Sequence, residues 1–286
     1  VVSSKYVVNL TGKNVIGVDS FREEIATMEK QLEDFKKAHG LDRLVVLNLS
    51  STERYTEQEE VHRSPEAFEK GLDDNDDRIS PGMKYFYVCA KNGIPYCNFA
   101  PSLCVVPALA KIAKENGCPY SGMDGKTGQT LLKTTLASMF RIRDLRVEGW
   151  YSANFLGNSD GLVLDDPGSN KTKIVSKQSV LDSIVGYKVE NHQVHIHYYK
   201  PRGDAKEAWD NIDFEGFIGE MMQMKVNFLC KDSILAAPIS IDMVRLVDYA
   251  KVCGESGVQE QLSLFFKSPY TEDGKQAEHE IYKQEQ

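Results

Sequence analysis

The sequence has no long apolar run, no surplus of positive charge and no closely spaced cysteine pair. No apolar segment approaches the ~18 residues that a transmembrane helix needs, so we expect no membrane partner. The 286 residues carry a formal net charge of −8, which argues against a nucleic-acid surface. A pocket for a small anion stays compatible with this total, because local charge does not follow net charge.

The cysteines form no C-x-x-C pair. Their spacing therefore predicts neither a zinc site nor a dithiol redox centre. Scattered thiols in a chain of this size are typical of reduced core residues in a cytoplasmic protein, and we predict that location. The cysteines lie at positions 89, 97, 104, 118, 230 and 253.

The first 130 residues alternate between helical and strand-like patterns. Apolar positions at helical spacing (Phe21, Ile25, Met28, Leu32 and Phe35) predict a helix over 21–39. Two further helices are predicted over 83–93 and 104–117. Short apolar runs predict buried strands at 44–52, 94–102 and 118–124. This alternation is typical of a parallel α/β sheet.

The pattern changes after residue 130. Longer strands are predicted over 144–158, 192–201 and 220–230, and a long apolar helix is predicted from Ser233. We therefore expect an α/β domain, an inserted sheet-rich domain, and a return to the first domain. The predicted limits are 1–130, 131–235 and 236–286.

A loop with three glycines, GMDGKTGQT at 122–130, leads directly into a helical segment. The free N–H groups and positive dipole end of a helix start favour a phosphate, here around 127–130. The triplet GKT, which begins at Gly125, matches the last three residues of a nucleotide-binding P-loop motif. That motif also requires a glycine five residues before Gly125, and this sequence has Tyr120 there. We reject that motif, and a tight loop with a capped helix is the alternative.

Four lysines are candidates for proton transfer or anion binding. Lys173 and Lys177 are four residues apart and share one face if their segment is helical. A solvated surface is the alternative. Lys200 lies at the end of a patterned strand. Lys267 stands between two aromatic residues and a Ser-Pro pair, a setting that penalises its charge unless a partner is present.

The polar residues at other strand ends can have a structural role in a turn or cap instead of a functional role. Asn158 and Asp160 follow a strand, where a plain turn would also use them. Asp232 stands at a strand-to-helix turn and would also serve as a cap. His195 and His197 form an H-x-H pair on one strand face, but no third ligand is evident, so we predict no metal site.

In their order along the chain, these segments resemble the myo-inositol-1-phosphate synthase family over about residues 15–270. The resemblance rests on LVVLNLSSTERY, GMDGKTGQTLLKT, GWYSANFLGNSDG, SKQSVLDSI, YYKPRGDAKEAWD, NFLCKDSILAAPISIDMV and LSLFFKSP. It implies a Rossmann-like NAD-binding domain with an inserted α+β catalytic and tetramerisation domain on a mostly antiparallel sheet, assembled as a homotetramer. It also implies the NAD-dependent cyclisation of D-glucose 6-phosphate to 1L-myo-inositol 1-phosphate. The implied steps are oxidation at C5, enolisation, intramolecular aldol closure and re-reduction.

The resemblance also implies roles for residues of this sequence. Lys173 and Lys177 are expected to transfer protons and stabilise the enolate. Lys200 and Lys267 are expected to hold phosphate and sugar oxygens, respectively, and Asp232 to orient a lysine. The implied phosphate cradle is Thr127, Gly128, Gln129 and Thr130. The implied contacts of substrate and cofactor are Asn158, Asp124, Asp160, Ser50, Ser51 and Thr52.

One usual part of a dinucleotide-binding domain is missing before residue 40, where no G-x-G-x-x-G segment occurs. We expect that segment and the final helix of the family either to lie outside this sequence or to be lost in a reduced relative. The alternative hypothesis is therefore a non-catalytic sugar-phosphate-binding or scaffold protein. The sequence leaves open whether a divalent cation or ammonium assists.

Overall fold

The computed structural model describes residues 17–164 and 180–272, apart from the side chain of Asp160. The helices are α1 (Phe21–Ala38), α2 (Pro65–Asp73), α3 (Pro81–Lys91), α4 (Pro107–Glu115), α5 (Gly128–Ile142), α6 (Ser159–Val163) and α7 (Asp232–Val252). The strands are β1 (Val46–Asn48), β2 (Tyr96–Asn98), β3 (Pro119–Gly122), β4 (Arg146–Leu156), β5 (Asn191–Tyr198), β6 (Ala205–Glu215), β7 (Met221–Lys231) and β8 (Gly257–Val258). No helix of the described part is long and apolar enough to cross a membrane.

The first sheet has the order β1-β2-β3-β8, and every pair is parallel. Its helices begin where the sequence supplies caps. The Oγ atoms of Ser64 and Ser80 accept a hydrogen bond from the N–H group three residues on, and each serine precedes a proline. One sheet face packs on α3 and α4, and the other packs on Met243 and Val247 of α7. The predicted parallel α/β sheet is confirmed.

The second sheet has the order β5-β4-β6-β7. Strands β4 and β5 are parallel, whereas the pairs β4–β6 and β6–β7 are antiparallel. This is the predicted, mostly antiparallel sheet. Its inner face presents Trp150, Ile212 and Phe214 to Ala137 and Phe140 of α5, and these residues form a second core.

The opposite face of this sheet, which we call the outer sheet face, has no covering element among the described residues. Trp209 is 49% exposed and Tyr151 is 46% exposed there. The rings of Phe155 and Trp209 lie 4.7 Å apart, and those of His195 and His197 stack at 6.2 Å. Aromatic side chains therefore form a partly exposed surface across three strands.

Two local predictions were wrong. The sequence interpretation missed β6, because Lys206 and Asp210 interrupt the apolar alternation of its inner face. The predicted apolar face of α1 is too long, because its last residue, Phe35, is 53% exposed. The domain limits at 130 and 235 stay predictions. The strands of the second sheet run from 146 to 231, and those of the first sheet lie on either side of that range.

Candidate active site

A cavity lies at the carboxyl ends of the parallel strands of the first sheet, where the second sheet meets them. This edge is where open α/β sheets bind ligands. Ser50 and Thr52 follow β1, and Asp124 and Thr127 follow β3. The remaining polar lining of the cavity comes from Lys206, Asp232, Ser233 and Lys267.

The helix α5 begins next to this cavity, which Thr127 lines and Gly128, Gln129 and Thr130 do not. Thr127 precedes the helix without a side-chain capping bond, and the first-turn residues Gly128, Gln129 and Thr130 are buried. The first N–H groups of an α-helix have no acceptor within the helix, and they carry the positive end of its dipole. The turn therefore presents the N–H groups and partial positive charge that bind a phosphate.

A charged chain of hydrogen bonds joins β6, α7 and α5. The Lys206 ammonium donates to Asp232 Oδ2 at 2.7 Å, and the Thr127 hydroxyl donates to Asp232 Oδ1 at 2.8 Å. Burial alone would raise the pKa of Asp232, but these two donors and the Lys206 charge hold it below its ordinary value. Asp232 is therefore an anion that fixes Lys206 at the cavity.

A second ion pair lies on the opposite side of the lining. Lys267 Nζ is 2.7 Å from Asp124 Oδ1, and both residues are buried. The backbone holds them together, because Lys267 N–H donates to Asp124 O and Lys126 N–H donates to Phe265 O. This supplies the partner that the apolar setting of Lys267 requires.

Lys126 adds an unpaired positive charge beside this ion pair. It is buried, and its Nζ has no hydrogen-bond partner within the described parts of the chain. Burial, together with the nearby Lys267 charge, lowers the pKa of Lys126 to about 8. Lys206 and Lys267 line the cavity beside Asp124 and Asp232, and Lys126 adds a buried positive charge next to this lining.

Other sequence-predicted residues lie at various distances from the cavity. Ser50 and Thr52 line it, whereas Ser51 does not. Asn158 Oδ1 accepts a hydrogen bond at 3.0 Å from the N–H of Gly161, at the start of α6. Asn158 Nδ2 donates a hydrogen bond to Asp204 Oδ1 at 3.4 Å. Asp160 lies in α6, and its side chain is outside the described residues, as are Lys173 and Lys177 in full.

The structure places Lys206, and not Lys200, at the cavity. Lys200 is exposed in the short 3-10 turn Lys200–Arg202 and does not line the cavity. Lys206, which the sequence interpretation did not single out, is 8% exposed and reaches the cavity from the inner face of β6. The alternation of Ala208, Ile212 and Phe214 was the available signal for that strand.

The His195 and His197 pair lies on the outer sheet face, away from the cavity. Their rings pack on Tyr151 and Phe155. In the part of the chain that the structure describes, no group of three or more His, Cys, Asp or Glu residues could hold a metal ion. The pair belongs to an aromatic surface.

The chain matches the family model described as myo-inositol-1-phosphate synthase over residues 1–286. Inositol-3-phosphate synthase 1 of Bacteroides thetaiotaomicron is 46% identical over 284 residues, which are 96% of this chain and 66% of that protein. The inositol-3-phosphate synthase of Saccharomyces cerevisiae is 30% identical over 254 residues, which are 85% of this chain and 48% of that protein. The chain thus spans about half to two thirds of these curated relatives.

Solved structures agree with this match. The inositol-3-phosphate synthase of Caenorhabditis elegans superposes with a TM-score of 0.89 at 27% identity, covering 96% of this chain and 57% of that one. A myo-inositol-1-phosphate synthase-related protein of Thermotoga maritima gives a TM-score of 0.80 at 27% identity, covering 92% and 68%, respectively. The predicted fold class, a Rossmann-like α/β sheet with a second, mostly antiparallel sheet, is confirmed. The chain belongs to the myo-inositol-1-phosphate synthase family.

Proposed function

We propose that this protein catalyses the NAD-dependent cyclisation of D-glucose 6-phosphate to 1L-myo-inositol 1-phosphate. The observation that carries the proposal is the pair of lysine–carboxylate ion pairs beside the open first turn of α5. Lys206 with Asp232 and Lys267 with Asp124 hold ammonium groups at fixed places in one cavity. Fixed positive charges beside a developing oxyanion are what an aldol-type ring closure needs.

The substrate phosphate is bound in this proposal by the first turn of α5. The N–H groups after Thr127 and the ammonium of Lys206 meet at the same part of the cavity, because Asp232 contacts both side chains. Lys206 here takes the phosphate-binding role that the sequence interpretation gave to Lys200.

The sugar end of the substrate is held by Lys267 in this proposal. Its ammonium is fixed by Asp124 and donates to the oxygens of the carbon atoms that react. Lys173 and Lys177, which lie outside the described residues, keep their proposed roles in proton transfer at C6 and in enolate stabilisation. Asn158 and Asp160 stay proposed substrate and cofactor contacts.

The cavity edge also suits the nicotinamide end of NAD. The hydroxyls of Ser50 and Thr52 and the carboxylate of Asp124 are the acceptors and donors that a carboxamide uses. We propose that these residues, with Ser51 in the same loop, hold the cofactor. NAD supplies a hydride acceptor for C5 and later a hydride donor to the same carbon. The pyrophosphate would need a binding segment beyond these residues.

Assembly and location complete the proposal. We propose a homotetramer in which a second copy of the chain covers the outer sheet face, because partly exposed aromatic rings form a continuous patch there. We also propose a cytoplasmic location, because the six cysteines are free thiols and four of them are buried.

The test is conversion of glucose 6-phosphate by the full chain with NAD in excess. Phosphorus NMR should show inositol phosphate, and chromatography after dephosphorylation should show free inositol, without net accumulation of NADH. Lys267→Met should abolish the product, and the exposed Lys200→Met serves as the matched control. Binding of glucose 6-phosphate without any product would instead support the non-catalytic sugar-phosphate-binding alternative.

A further inference from the structure

A buried carboxylate lies behind the first turn of α5, outside the cavity lining. Asp210 is 4% exposed on the inner face of β6. It accepts hydrogen bonds from Trp150 Nε1 at 2.7 Å, from the Ser152 hydroxyl, and from Gln129 Nε2 at 3.2 Å. All three donors are buried. An anion with this many fixed donors is specifically held and not incidentally enclosed.

A buried lysine lies one helical turn beyond Gln129. Lys133 is 4% exposed, its Nζ is 2.9 Å from His192 Nε2, and it lies 5.1 Å from the centre of the Trp150 ring. Burial lowers the pKa of Lys133 to about 8 while the charge of Asp210 opposes that shift, so Lys133 is a cation at pH 7. Burial also lowers the pKa of His192 to about 3, so the ring is neutral and its Nε2 accepts.

Two different carboxylates thus hold the start of α5. Asp232 accepts from Thr127, and Asp210 accepts from Gln129. Two carboxylates behind a phosphate site would repel a dianion if their charges were unbalanced. Asp232 is balanced by Lys206 in a direct ion pair. Lys133 reaches the Asp210 network through Trp150, whose ring centre lies 5.1 Å from the ammonium and whose N–H donates to Asp210.

We propose that Asp210 and Lys133 form a charge-compensated pair of positioning residues for phosphate binding. Asp210 fixes the Gln129 amide and with it the first turn of α5, and Lys133 cancels the field of Asp210 at that turn. The inference rests on the proposed function, in which this turn receives the phosphate of the substrate. Neither side chain touches the substrate, so both act through Gln129 and the helix start.

This role differs in a measurable way from that of a polar group that only stabilises the core. A stabilising network would change the thermal midpoint and leave the KM for glucose 6-phosphate unchanged. A positioning pair changes KM, and the two residues are not independent. Removing Lys133 alone leaves an uncompensated anion, whereas removing both charges leaves a neutral site.

The experiment compares Asp210→Asn, Lys133→Met and the double variant in the full chain. Each single change should raise the KM for glucose 6-phosphate about tenfold, because a hydrogen bond or compensating charge at a charged group is lost. The double variant should have a KM no higher than either single variant. Asp213→Asn is the matched control, because Asp213 lies on the same strand and bonds to Asn211 and Gln223. Its KM should stay at the wild-type value.

Calorimetric binding of inorganic phosphate by the same proteins separates the two proposals. Weaker phosphate binding in both single variants, with no further weakening in the double variant, would support the pair even if the wild type formed no inositol phosphate, which would sink only the proposed function. Unchanged KM and phosphate affinity in both single variants would overturn the pair, as would effects that simply multiply in the double variant. If Asp210→Asn does not fold, Ser152→Ala removes one donor, and it should raise KM about threefold.

Discussion

A carboxylic acid without solvent contact lies behind the loop that follows β1. Glu53 is 3% exposed, and its Oε1 accepts a hydrogen bond from the N–H of Gly82 at 2.8 Å, in the first turn of α3. Burial raises the pKa of Glu53 to about 7, although hydrogen bonds from Ser80 and Gly82 and the charge of Lys84 oppose the shift. Glu53 therefore changes its charge near neutral pH, next to the loop that carries Ser50 and Thr52.

Glu53→Gln should make the protein less sensitive to pH. The unfolded chain loses this proton near the ordinary value of 4.5, but the folded chain keeps it until about 7. The Glu53 contribution to the free energy of unfolding should therefore fall as pH rises from 4.5 to 7, by on the order of 3 kcal/mol. Denaturant titrations between pH 5 and 8 should show this fall in the wild type and not in Glu53→Gln.

The exposed Glu57→Gln in the same loop is the control and should follow the wild type. A constant difference between wild type and Glu53→Gln across the pH range would contradict the expected titration. Other groups also make the stability depend on pH, notably His62, whose pKa is lowered mainly by burial. The comparison with the variant removes their contribution, because they are present in both proteins.

Lys206→Met should abolish turnover, while Lys200→Met should not. The first change removes an ammonium from the cavity and leaves the partly exposed Asp232 without its counter-ion, which also destabilises the protein, by less than the roughly 3–5 kcal/mol of a fully buried pair. The second removes an exposed charge that lines no part of the cavity. Initial rates with saturating NAD and thermal midpoints measure both effects. Lost turnover in Lys200→Met, with Lys206→Met active, would return Lys200 to the phosphate-binding role.

At the scale of single residues, the sequence indicated that lysines and aspartates would form the site, but it did not identify every lysine that lines the cavity or the partner of each. The apolar neighbours of Lys267 indicated that it needs a partner, but they did not identify Asp124, which is 143 residues away. Lys206 was missed because its contact with Asp232 depends on strand pairing, in which Lys206 lies opposite Cys230. Local patterns carry no information on such register.

Among the elements, the loop between β3 and α5 has the tightest packing constraint. A Cβ atom on Gly125 would lie 2.3 Å from the Phe99 ring, which no side chain tolerates without movement. Both residues line the cavity, and the backbone of the loop also carries Asp124 and Thr127. Glycine at this position therefore allows the loop after β2 to pack directly against the loop between β3 and α5.

Gly125→Ala should reduce both turnover and stability. The added methyl group displaces the loop against Phe99, and such overpacking costs about 1–3 kcal/mol. The displacement moves Asp124 and Thr127 from their places, so we expect more than a tenfold loss of kcat/KM. Phe99→Ala in the same chain removes the collision and should recover part of the lost activity.

Gly17→Ala provides the control, because a Cβ atom there meets nothing within 4 Å. If Gly125→Ala kept wild-type kcat/KM, the loop would adapt without moving the site residues, and the argument from close packing would be wrong. Steady-state rates for the four proteins, with thermal midpoints measured in parallel, distinguish these outcomes.

Elements with local start and stop signals were predicted well from sequence, and elements that depend on distant partners were not. The helix α1 begins at the Ser20 cap and ends next to Gly40, within one residue of the predicted span. By contrast, β1 is confined to Val46–Asn48 inside the predicted 44–52, because β2 is its one strand partner among the described residues. Strand β6 has strands on both sides, which stabilise it despite its polar inner residues.

Over the whole molecule, the site depends on both sheets at once. The first sheet brings Asp124 and Lys267, the second brings Lys206, and α7 connects the two through Asp232. The chain enters the second sheet after α5 and leaves it through α7, so both connections pass the cavity. Folding of either sheet alone would leave the ligand-binding groups incomplete, and binding should therefore stabilise the two sheets together.

The outer sheet face makes a prediction at the same scale. Trp209 lies near the middle of this surface, 49% exposed, between β4 and β7. If a second copy of the chain covers the surface, Trp209→Glu places an unpaired charge in an apolar contact, which is strongly unfavourable for association. Sedimentation velocity should show a homotetramer for the wild type and smaller species for Trp209→Glu.

Tyr249→Glu tests the specificity of this effect, because Tyr249 is 66% exposed on α7, away from the outer sheet face. It should sediment like the wild type. Dissociation by Tyr249→Glu and not by Trp209→Glu would move the proposed contact to α7, and a monomeric wild type at micromolar concentration would refute self-association through either surface. The aromatic side chains that cover this face lie on the opposite side of the sheet from the cavity. If Trp209→Glu lost turnover together with assembly, the proposed tetramer would be what holds the second sheet, and with it Lys206, in the catalytic position.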